Sequence, residues 1–319
     1  MKIAILTSGG DAPGMNACVR ACVRYAIYND VEPYVVYRGY NGLVNGNIEA
    51  ADKRTVSDII HRGGTKIKTA RCPEFVNVEV QQQAADNLRR LGIDGLVVIG
   101  GDGSFMGAKA LYENCGIRTI GIPATIDDDL DYTDFTIGFD TAVNTALDAI
   151  NHLRDTMISH DRLNILEVMG RHCGDIALYS GIAGGAEIIL VPEIQVDMDK
   201  LCRTISKNLH SGKTSNLIVL AEGVMSAPEL MAEIQSRMDV SIRTTTLGHI
   251  QRGGMPSMAD RVLAARMGCR AVEELVKGNG GVVVGIRRQE IIVQDIAEAL
   301  ATPSKFDFDL YRTASILSE

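Results

Sequence analysis

Three carboxylates stand in a row at Asp127, Asp128 and Asp129. They follow a compact apolar run, Thr119 to Ile122, which predicts a buried strand. In an open α/β sheet, ligands bind outside the carboxyl ends of the strands. Neighbouring carboxylates raise one another's pKa, so a row of them is unfavourable unless something offsets the charge. The stretch is therefore either a solvated acidic turn or part of a ligand site, and the other motifs decide between the two.

Two glycine-rich turns lie between predicted strands and helices. The first runs from Ser8 to Gly14, after the strand Lys2 to Thr7, and the second is Gly100-Gly101-Asp102-Gly103-Ser104, after the strand Asp94 to Ile99. Glycines let the backbone approach an anion, and the free N–H groups of the following helix point at it. A single turn is equally well a tight βα connection, but two in one domain favour a phosphate site. Asp102 suits Mg²⁺, which prefers one or two carboxylates together with phosphate oxygens.

Arginines at predicted loops and strand ends strengthen that interpretation, because a guanidinium binds phosphate through two parallel hydrogen bonds. Each alone is more often a surface residue, but the set has five members, namely Arg71, Arg162, Arg171, Arg243 and Arg252. Arg162 and Arg243 start their strands, so they lie at the opposite strand ends and can serve the same ligand only across a subunit contact. Arg20 and Arg24 are four residues apart and share one face of a predicted helix.

The elements that must position these residues alternate between strand and helix along the chain, which predicts parallel sheets covered on both faces. A helix is predicted from Phe139 to Thr156, where apolar residues recur at i, i+3, i+4 and i+7. A turn is predicted at Gly39 to Gly42 and a helix at Thr55 to His61. No linker rich in Pro, Gly or Ser marks a boundary. We therefore expect an α/β fold of two closely joined Rossmann-like three-layer domains with mainly parallel sheets, between which the chain crosses more than once.

Composition limits the possible functions. The 319 residues suit two domains, and the 46% hydrophobic content supports sizeable cores. No apolar run reaches the ~18 residues of a membrane span, and Met1-Lys2 leads directly into a strand, so neither a membrane anchor nor a signal peptide is expected. The net charge of −8 without a Lys/Arg run argues against nucleic-acid binding. Seven cysteines without metal or redox spacing fit reduced thiols and a cytoplasmic location.

Five stretches carry a resemblance that covers nearly the whole chain. They are Thr7 to Asn16, Gly100 to Ser104, Thr125 to Asp127, Met169-Gly170-Arg171, and Gly248 to Gly254. On these motifs the chain resembles the family of bacterial ATP-dependent 6-phosphofructokinases. The resemblance implies transfer of the ATP γ-phosphoryl group to the 1-hydroxyl of fructose 6-phosphate in glycolysis. It also implies Mg²⁺ as cofactor, a homotetramer of two-domain subunits, a nucleotide-binding domain of residues 1–138 plus 251–302, and a sugar-phosphate-binding domain of residues 139–250 plus 303–319.

The resemblance also implies residue roles. Asp127 is expected to be the general base, Thr125 and Arg171 to stabilise the transferring phosphoryl group, and Asp102 to bind the metal with Asp129 close by. The implied ATP site comprises Gly10, Arg71, Cys72, Gly101, Asp102, Gly103 and Ser104. The implied fructose 6-phosphate site adds Met169, Gly170, Glu222, His249 and Arg252 to Thr125, Asp127 and Arg171, with Arg162 and Arg243 supplied by the neighbouring subunit.

A second anion site between subunits is implied, for ADP or phosphoenolpyruvate as effector. The matching residues are Arg20, Arg24, Lys53, Arg54, Arg154, Gly185, Glu187, Ser211 and Lys213. Ser211 stands where a basic residue is more usual, and the charges of Lys53-Arg54 are placed differently from the common pattern. Loss of one phosphate-binding cation is worth on the order of 1–3 kcal/mol. We therefore expect a weak effector response.

Two alternatives remain open at this point. Diphosphate-using relatives typically carry Asp at the position of Gly103 and Lys at that of Ala124, so the small residues here favour ATP over diphosphate. A non-catalytic sugar-phosphate sensor would have lost the base or the metal ligand, whereas Asp127 and Asp102 are both present. One departure is Asp128, where the family usually has Asn. If Asp128 points toward the site, Asp127 is harder to ionise.

Overall fold

The computed structural model describes residues 1–158, 163–211, 216–303 and 306–318. The chain divides into two compact units. The first unit is Met1–Thr141 with Arg252–Ser304, and the second unit is Ala142–Gln251 with Lys305–Glu319. The edges of the predicted domains lie within three residues of these units. The nucleotide and sugar-phosphate roles given to the two domains stay predictions.

The strands account for both sheets. In chain order they are β1 (Lys2–Thr7), β2 (Glu32–Val36), β3 (Ile48–Ala50), β4 (Gly95–Gly100), β5 (Arg118–Thr125), β6 (Ile137–Gly138), β7 (Leu163–Val168), β8 (Ile188–Leu190), β9 (Asn216–Ala221), β10 (Ile242–Thr246), β11 (Val282–Arg287) and β12 (Glu290–Asp295).

The helices cover these sheets. They are α1 (Met15–Tyr28), α2 (Gly39–Val44), α3 (Val78–Arg90), α4 (Asp102–Cys115), α5 (Phe139–Ile158), α6 (Asp175–Ala183), α7 (Met198–His210), α8 (Ala227–Gln235), α9 (Met258–Val276), α10 (Ile296–Leu300) and α11 (Phe308–Leu317), with short 3-10 helices at Pro73–Val76 and Gly248–Arg252. Within the described residues, no helix is both long and apolar enough to cross a membrane.

The sheets confirm an α/β fold with mainly parallel strands. In the first unit the order is β12-β11-β5-β4-β1-β2-β3, with β6 added beside β5. Only the two edge pairs of this order, β2–β3 and β11–β12, are antiparallel. The second unit has a four-stranded sheet of order β10-β7-β9-β8, whose pairs are parallel. The central strand β4 is buried along its whole length, which explains its continuous apolar sequence.

The register of the first sheet brings three turns to one edge. Thr7 of β1 pairs with Ile99 of β4, and Gly100 of β4 pairs with Pro123 of β5. These parallel strands therefore end at nearly the same level. The two glycine-rich turns and the acidic stretch leave the sheet side by side.

Two local predictions were wrong. Residues 39–42 begin the helix α2, because Tyr40 and Leu43 are buried and give this short segment a core-facing side. Residues 55–61 form turns rather than a helix. In the middle of this segment Asp58 has a φ of +56°, in the left-handed region, which interrupts a right-handed helix.

Candidate active site

The functional residues predicted for the nucleotide meet in one cavity of the first unit. It has a volume of about 870 Å³, within the range of small-molecule sites. The three aligned turns and the segment that begins at Ala70 form much of its wall. Among the residues that line it are all those predicted to bind ATP together with Thr125, Asp127, Asp129 and Arg252. The fold thus brings these residues together, while the role of each stays a prediction.

The acidic stretch is held in a closed loop that returns to its own strand. Strand β6 pairs with the end of β5, and the hydroxyl of Thr136 donates to the carbonyl oxygen of Thr125 over 2.7 Å. The buried Tyr132 anchors the loop by donating to the carbonyl oxygen of Val284 over 2.9 Å. The backbone N–H of Asp127 donates to Thr125 Oγ1 over 3.2 Å. These bonds fix the backbone that carries the predicted base.

The side chain of Asp128 is hydrogen-bonded within the same loop. Its Oδ1 accepts the backbone N–H of Thr136 over 2.7 Å. Its φ of +53° lies in the left-handed region, which Asp and Asn tolerate better than most residues. The family's usual Asn and the Asp found here meet both demands, but only Asp adds a charge next to Asp127.

The cavity concentrates negative charge. Loss of hydration inside the cavity raises the pKa of Asp129, and the nearby carboxylates of Asp127 and Asp102 raise it further. Asp102 is the first residue of α4, whose N-terminus lines the same cavity. Within the described residues, no group of three His, Cys, Asp or Glu side chains is arranged to hold a metal by itself. The donor set fits Mg²⁺, which takes one or two carboxylates and completes its shell with phosphate oxygens and water.

The first glycine turn is shaped around Arg252. A Cβ atom on Gly10 would overlap the guanidinium of Arg252, which also donates to the carbonyl oxygen of Asp11 over 3.4 Å. By contrast, a Cβ atom on Gly103 would meet nothing within 4 Å. A side chain at position 10 would therefore displace the Arg252 guanidinium, whereas Gly103 leaves space that belongs to the cavity.

The segment that carries Arg71 is tied to the first glycine turn. The amide of Asn16 donates to the carbonyl oxygens of Arg62 and Gly63 over 3.0 and 3.1 Å and accepts the backbone N–H of Lys66 over 2.7 Å. The hydroxyl of Thr69 donates to the carbonyl oxygen of Gly9 over 2.9 Å. Asn16 was part of a quoted motif, but its function as a tie between two chain segments was not predicted.

The part of the cavity wall away from the carboxylates was also missed. Tyr40 and Phe75 stack there with ring centroids 4.2 Å apart, and the Tyr40 hydroxyl donates to the carbonyl oxygen of Ser104 over 2.6 Å. Met106 and Gly107 line the same space. A signal existed in the helical spacing from Asp102 along α4, since residues three to four apart share a face.

In the second unit, two loops predicted to bind the sugar phosphate are joined. The N–H of Glu222 donates to the carbonyl oxygen of Val168 over 2.9 Å, and that of Gly223 to the carbonyl oxygen of Gly170 over 3.1 Å. A Cβ atom on Gly223 would overlap the Arg171 carbonyl oxygen. The structure therefore fixes the backbone beside Met169 and Arg171. His249 is exposed, on the short helix Gly248–Arg252.

Arg243 lies apart from these loops. It pairs with Asn164 at the start of the parallel strand β7, whereas Met169 follows the end of that strand. Five residues of strand separate the two levels by roughly 17 Å. Arg243 therefore does not join Arg171 within its own sheet. Arg162 lies outside the described residues.

The predicted effector residues fall in both units. In the second unit, Arg154 donates to the carbonyl oxygens of Gly184 and Gly185 and lies 3.7 Å from the carboxylate of Glu187. Ser211 caps the end of α7. In the first unit, burial and the neighbouring charge of Arg24 lower the pKa of Arg20. Lys53 and Arg54 follow β3 in a turn, and Lys213 lies outside the described residues.

The parallel sheet and the cavity at its carboxyl edge place the chain among α/β proteins that bind a phosphorylated ligand beside glycine-rich turns. The family model of phosphofructokinases matches residues 2–275. The chain therefore belongs to the phosphofructokinase family. It is 59% identical over 318 residues to a protein named ATP-dependent 6-phosphofructokinase from Clostridium botulinum (strain Alaska E43 / Type E3), with 99% of each chain covered. Identity to the protein of the same name from Clostridium acetobutylicum is 57%, again with 99% of each covered.

Solved structures agree on the fold. A phosphofructokinase from Saccharomyces cerevisiae superposes with a TM-score of 0.88 at 35% identity, covering 94% of this chain and 45% of the yeast chain. This chain thus spans less than half of that protein. A pyrophosphate-dependent phosphofructokinase from Nitrosospira multiformis gives a TM-score of 0.88 at 21% identity, covering 100% and 92% of the two chains. At that identity the likeness concerns the fold alone.

Proposed function

We propose that this chain is an ATP-dependent 6-phosphofructokinase, a kinase that transfers the γ-phosphoryl group of ATP to the 1-hydroxyl of fructose 6-phosphate in glycolysis. Its family and its 55–59% identical relatives of that name support the assignment. The observation that carries it in the structure is the common edge of β1, β4 and β5. That edge places Asp127 and both glycine-rich turns around one cavity.

The proposed chemistry uses positioning and charge more than covalent catalysis, as phosphoryl transfer generally does. Asp127 takes the proton from the attacking hydroxyl, a contribution of roughly 10²–10⁴-fold for a well-placed base. Thr125 and Arg171 donate hydrogen bonds to the transferring phosphoryl group. Mg²⁺ bound by Asp102, with Asp129 close by, would supply the charge that neutralises the phosphate oxygens. The N–H groups of the glycine-rich turns and Arg71, next to Cys72, hold the nucleotide.

Fructose 6-phosphate is proposed to bind through the residues at the loops after β7 and β9 and through Arg252. These residues are Met169, Gly170, Arg171, Glu222, His249 and Arg252. Arg243 and Arg162 are proposed to come from a neighbouring subunit. The place of Arg243, one strand length from Arg171, supports this arrangement. It requires an oligomer, for which we propose a cytoplasmic homotetramer.

An effector site for ADP or phosphoenolpyruvate, with weak response, is proposed at a set of nine residues. They are Arg20, Arg24, Lys53, Arg54, Arg154, Gly185, Glu187, Ser211 and Lys213. Arg154 is bonded to the carbonyl oxygens of Gly184 and Gly185 and lies beside the carboxylate of Glu187, so its guanidinium is held in place before any effector binds. The carboxylate of Glu187 in turn accepts the N–H of Leu217 over 2.7 Å.

The test of the function is a donor comparison on the wild-type protein. Formation of fructose 1,6-bisphosphate is measured with fructose 6-phosphate and either MgATP or magnesium diphosphate. We expect turnover with ATP and little with diphosphate, because Gly103 and Ala124 leave the cavity open for a nucleotide. Turnover with diphosphate alone would contradict the proposed donor, and turnover with neither would contradict the function.

A further inference from the structure

The cavity of the first unit extends along one face of α4. Gly103, Met106, Gly107, Ala110 and Asn114 line it in helical order. From Asp102 to Asn114 the helix rises by roughly 18 Å, at 1.5 Å per residue. If phosphates occupy the turn at Asp102, as the proposed function requires, the base of the nucleotide lies toward Asn114. The inference below rests on the proposed function in this one respect.

Two amide side chains form a relay at that end of the cavity. Gln81 of α3 is only 3% exposed, and its Nε2 donates to the carbonyl oxygen of Phe75 over 2.8 Å. The Nδ2 of Asn114 donates to Gln81 Oε1 over 2.8 Å. Both Gln81 and Asn114 line the cavity. The relay therefore runs from a backbone carbonyl, through a buried amide, to an exposed amide at the cavity wall.

The polarity of this relay is fixed by its first member. Amide oxygen and nitrogen are assigned from their hydrogen-bond partners, and a carbonyl oxygen can only accept. Gln81 must therefore turn its NH₂ toward Phe75 and its oxygen toward Asn114. Asn114 must therefore donate to that oxygen through its own NH₂ group, which leaves Asn114 Oδ1 as the free end of the relay. Within the described part of the chain, no group donates to that oxygen.

A free acceptor at this place discriminates between purines. Adenine carries an amino donor at C6, whereas guanine and hypoxanthine carry a carbonyl acceptor there. We propose that the Gln81–Asn114 relay selects 6-amino over 6-oxo purine nucleotides by presenting Asn114 Oδ1 to the C6 substituent. Because Asn114 is exposed, the expected preference is modest, about 2- to 12-fold, the effect of one neutral hydrogen bond.

A purely structural role makes different predictions. The relay also links α3 to α4 and to the segment that contains Phe75. If that were its whole purpose, its removal would lower stability and reduce binding of all nucleotides alike. Discrimination between ATP and ITP separates the two possibilities, since these nucleotides differ at C6 and in the proton on N1 that accompanies the carbonyl.

The experiment compares kcat/KM for ATP and ITP, with fructose 6-phosphate saturating, in wild type, Asn114→Ala and Gln81→Leu. We expect wild type to prefer ATP by about 2- to 12-fold and both variants to bring the ratio close to one. In Gln81→Leu, Asn114 is retained but can turn either group outward. Glu113→Ala and Gln82→Leu are matched controls on the same helices, outside the cavity wall, and should keep the wild-type ratio.

Three outcomes would overturn the proposal: a wild-type ratio of one or below, an unchanged ratio in Asn114→Ala, or a ratio that also collapses in the controls. Calorimetric binding of ADP and IDP to the same proteins provides a readout that does not need catalysis. If the protein bound ADP more tightly than IDP but transferred no phosphoryl group, the proposed kinase function would be contradicted and the proposed nucleotide selectivity would be supported. If a variant does not fold, the ratio of kcat/KM for ATP to that for ITP in the wild-type protein still tests the proposal.

Discussion

At the residue scale, Asp128 illustrates what sequence could and could not predict. Its departure from the usual Asn was visible in the sequence. Its partner, the N–H of Thr136 eight residues later, was not, because the closed loop depends on β6 pairing with β5. A two-residue strand has no periodicity to detect. Asp127 and Asp102 were predicted because their residue types follow strand ends, whereas Tyr40 and Phe75 have types equally common in any core.

The residue-scale prediction is that Asp128→Asn moves the acid limb of the pH–rate profile to lower pH. Asn keeps an oxygen for the Thr136 N–H and removes one negative charge beside Asp127, so Asp127 ionises more easily. The measurement is kcat/KM for fructose 6-phosphate from pH 5 to pH 9. The hydrogen bond from the Thr136 N–H should persist in this variant, so its melting temperature should stay near that of wild type. An unmoved limb would mean that the Asp128 charge is not felt at Asp127.

At the element scale, the tie between the first glycine turn and the Arg71 segment depends on Asn16. We predict that Asn16→Ala lowers stability by about 1–3 kcal/mol, because two part-buried carbonyl oxygens and one N–H lose their partner. It should also raise KM for ATP more than KM for fructose 6-phosphate, since Arg71 lies in the loosened segment. Asn45→Ala is the control, since Asn45 is exposed and its side-chain amide donates to neighbouring Asn41. Equal changes in both KM values would count against a local role.

A second element-scale prediction concerns Asp260 of α9, which holds the start of α5. This carboxylate is 1% exposed and accepts the N–H groups of Gly138 and Thr141 over 2.8 and 2.9 Å, and also the Thr141 hydroxyl. Burial raises the pKa of Asp260, although those hydrogen bonds act in the opposite direction. The folded state therefore binds this proton more tightly than the unfolded state does.

The sign of the pH dependence follows from that difference. Between the unfolded pKa near 3.8 and the higher folded value, stability falls as pH rises, and above the folded value the loss is complete. Asp260→Asn lacks this titration. We predict that the melting temperature of wild type minus that of Asp260→Asn decreases from pH 4 upward and then levels off. A difference that grows with pH would show that the hydrogen bonds outweigh burial and that the pKa is lowered.

At the scale of the whole molecule, the strand–helix alternation was enough to predict two parallel-sheet units and the edge that carries the cavity. The hairpin β11–β12 was not predicted. Its turn places Arg288 and Gln289 at positive φ, without the Asn-Gly or Gly residues that usually mark such turns. Tertiary contacts support it, since Arg288 N–H donates to Asp134 and Arg266 donates to the Gln289 carbonyl oxygen. Sequence-local rules cannot detect support that comes from residues far along the chain.

The whole-molecule prediction is that active sites are shared between subunits. Arg243→Ser should raise KM for fructose 6-phosphate by about 10- to 100-fold, the effect of a hydrogen bond to a charged group. Co-expressed Arg243→Ser and Asp127→Ser chains should form hybrid particles of four 34.4 kDa subunits in light scattering. A site is intact when the Arg243→Ser chain supplies Asp127 and the Asp127→Ser chain supplies Arg243. At subsaturating fructose 6-phosphate, the activity of the hybrids should therefore exceed the summed activities of the two parent variants. Activity equal to the parental average would mean that Arg243 acts within its own subunit and would contradict the sharing of sites between subunits.

The most direct measurement is steady-state kinetics of Asp127→Ser with ATP and fructose 6-phosphate, because the proposed mechanism depends on this carboxylate as the base. We predict that kcat falls by about 10²–10⁴-fold while both KM values stay within a few-fold of wild type. Asp131→Ser, a carboxylate of the same loop outside the cavity wall, should retain most of the wild-type kcat. A kcat for Asp127→Ser within tenfold of wild type would contradict the account.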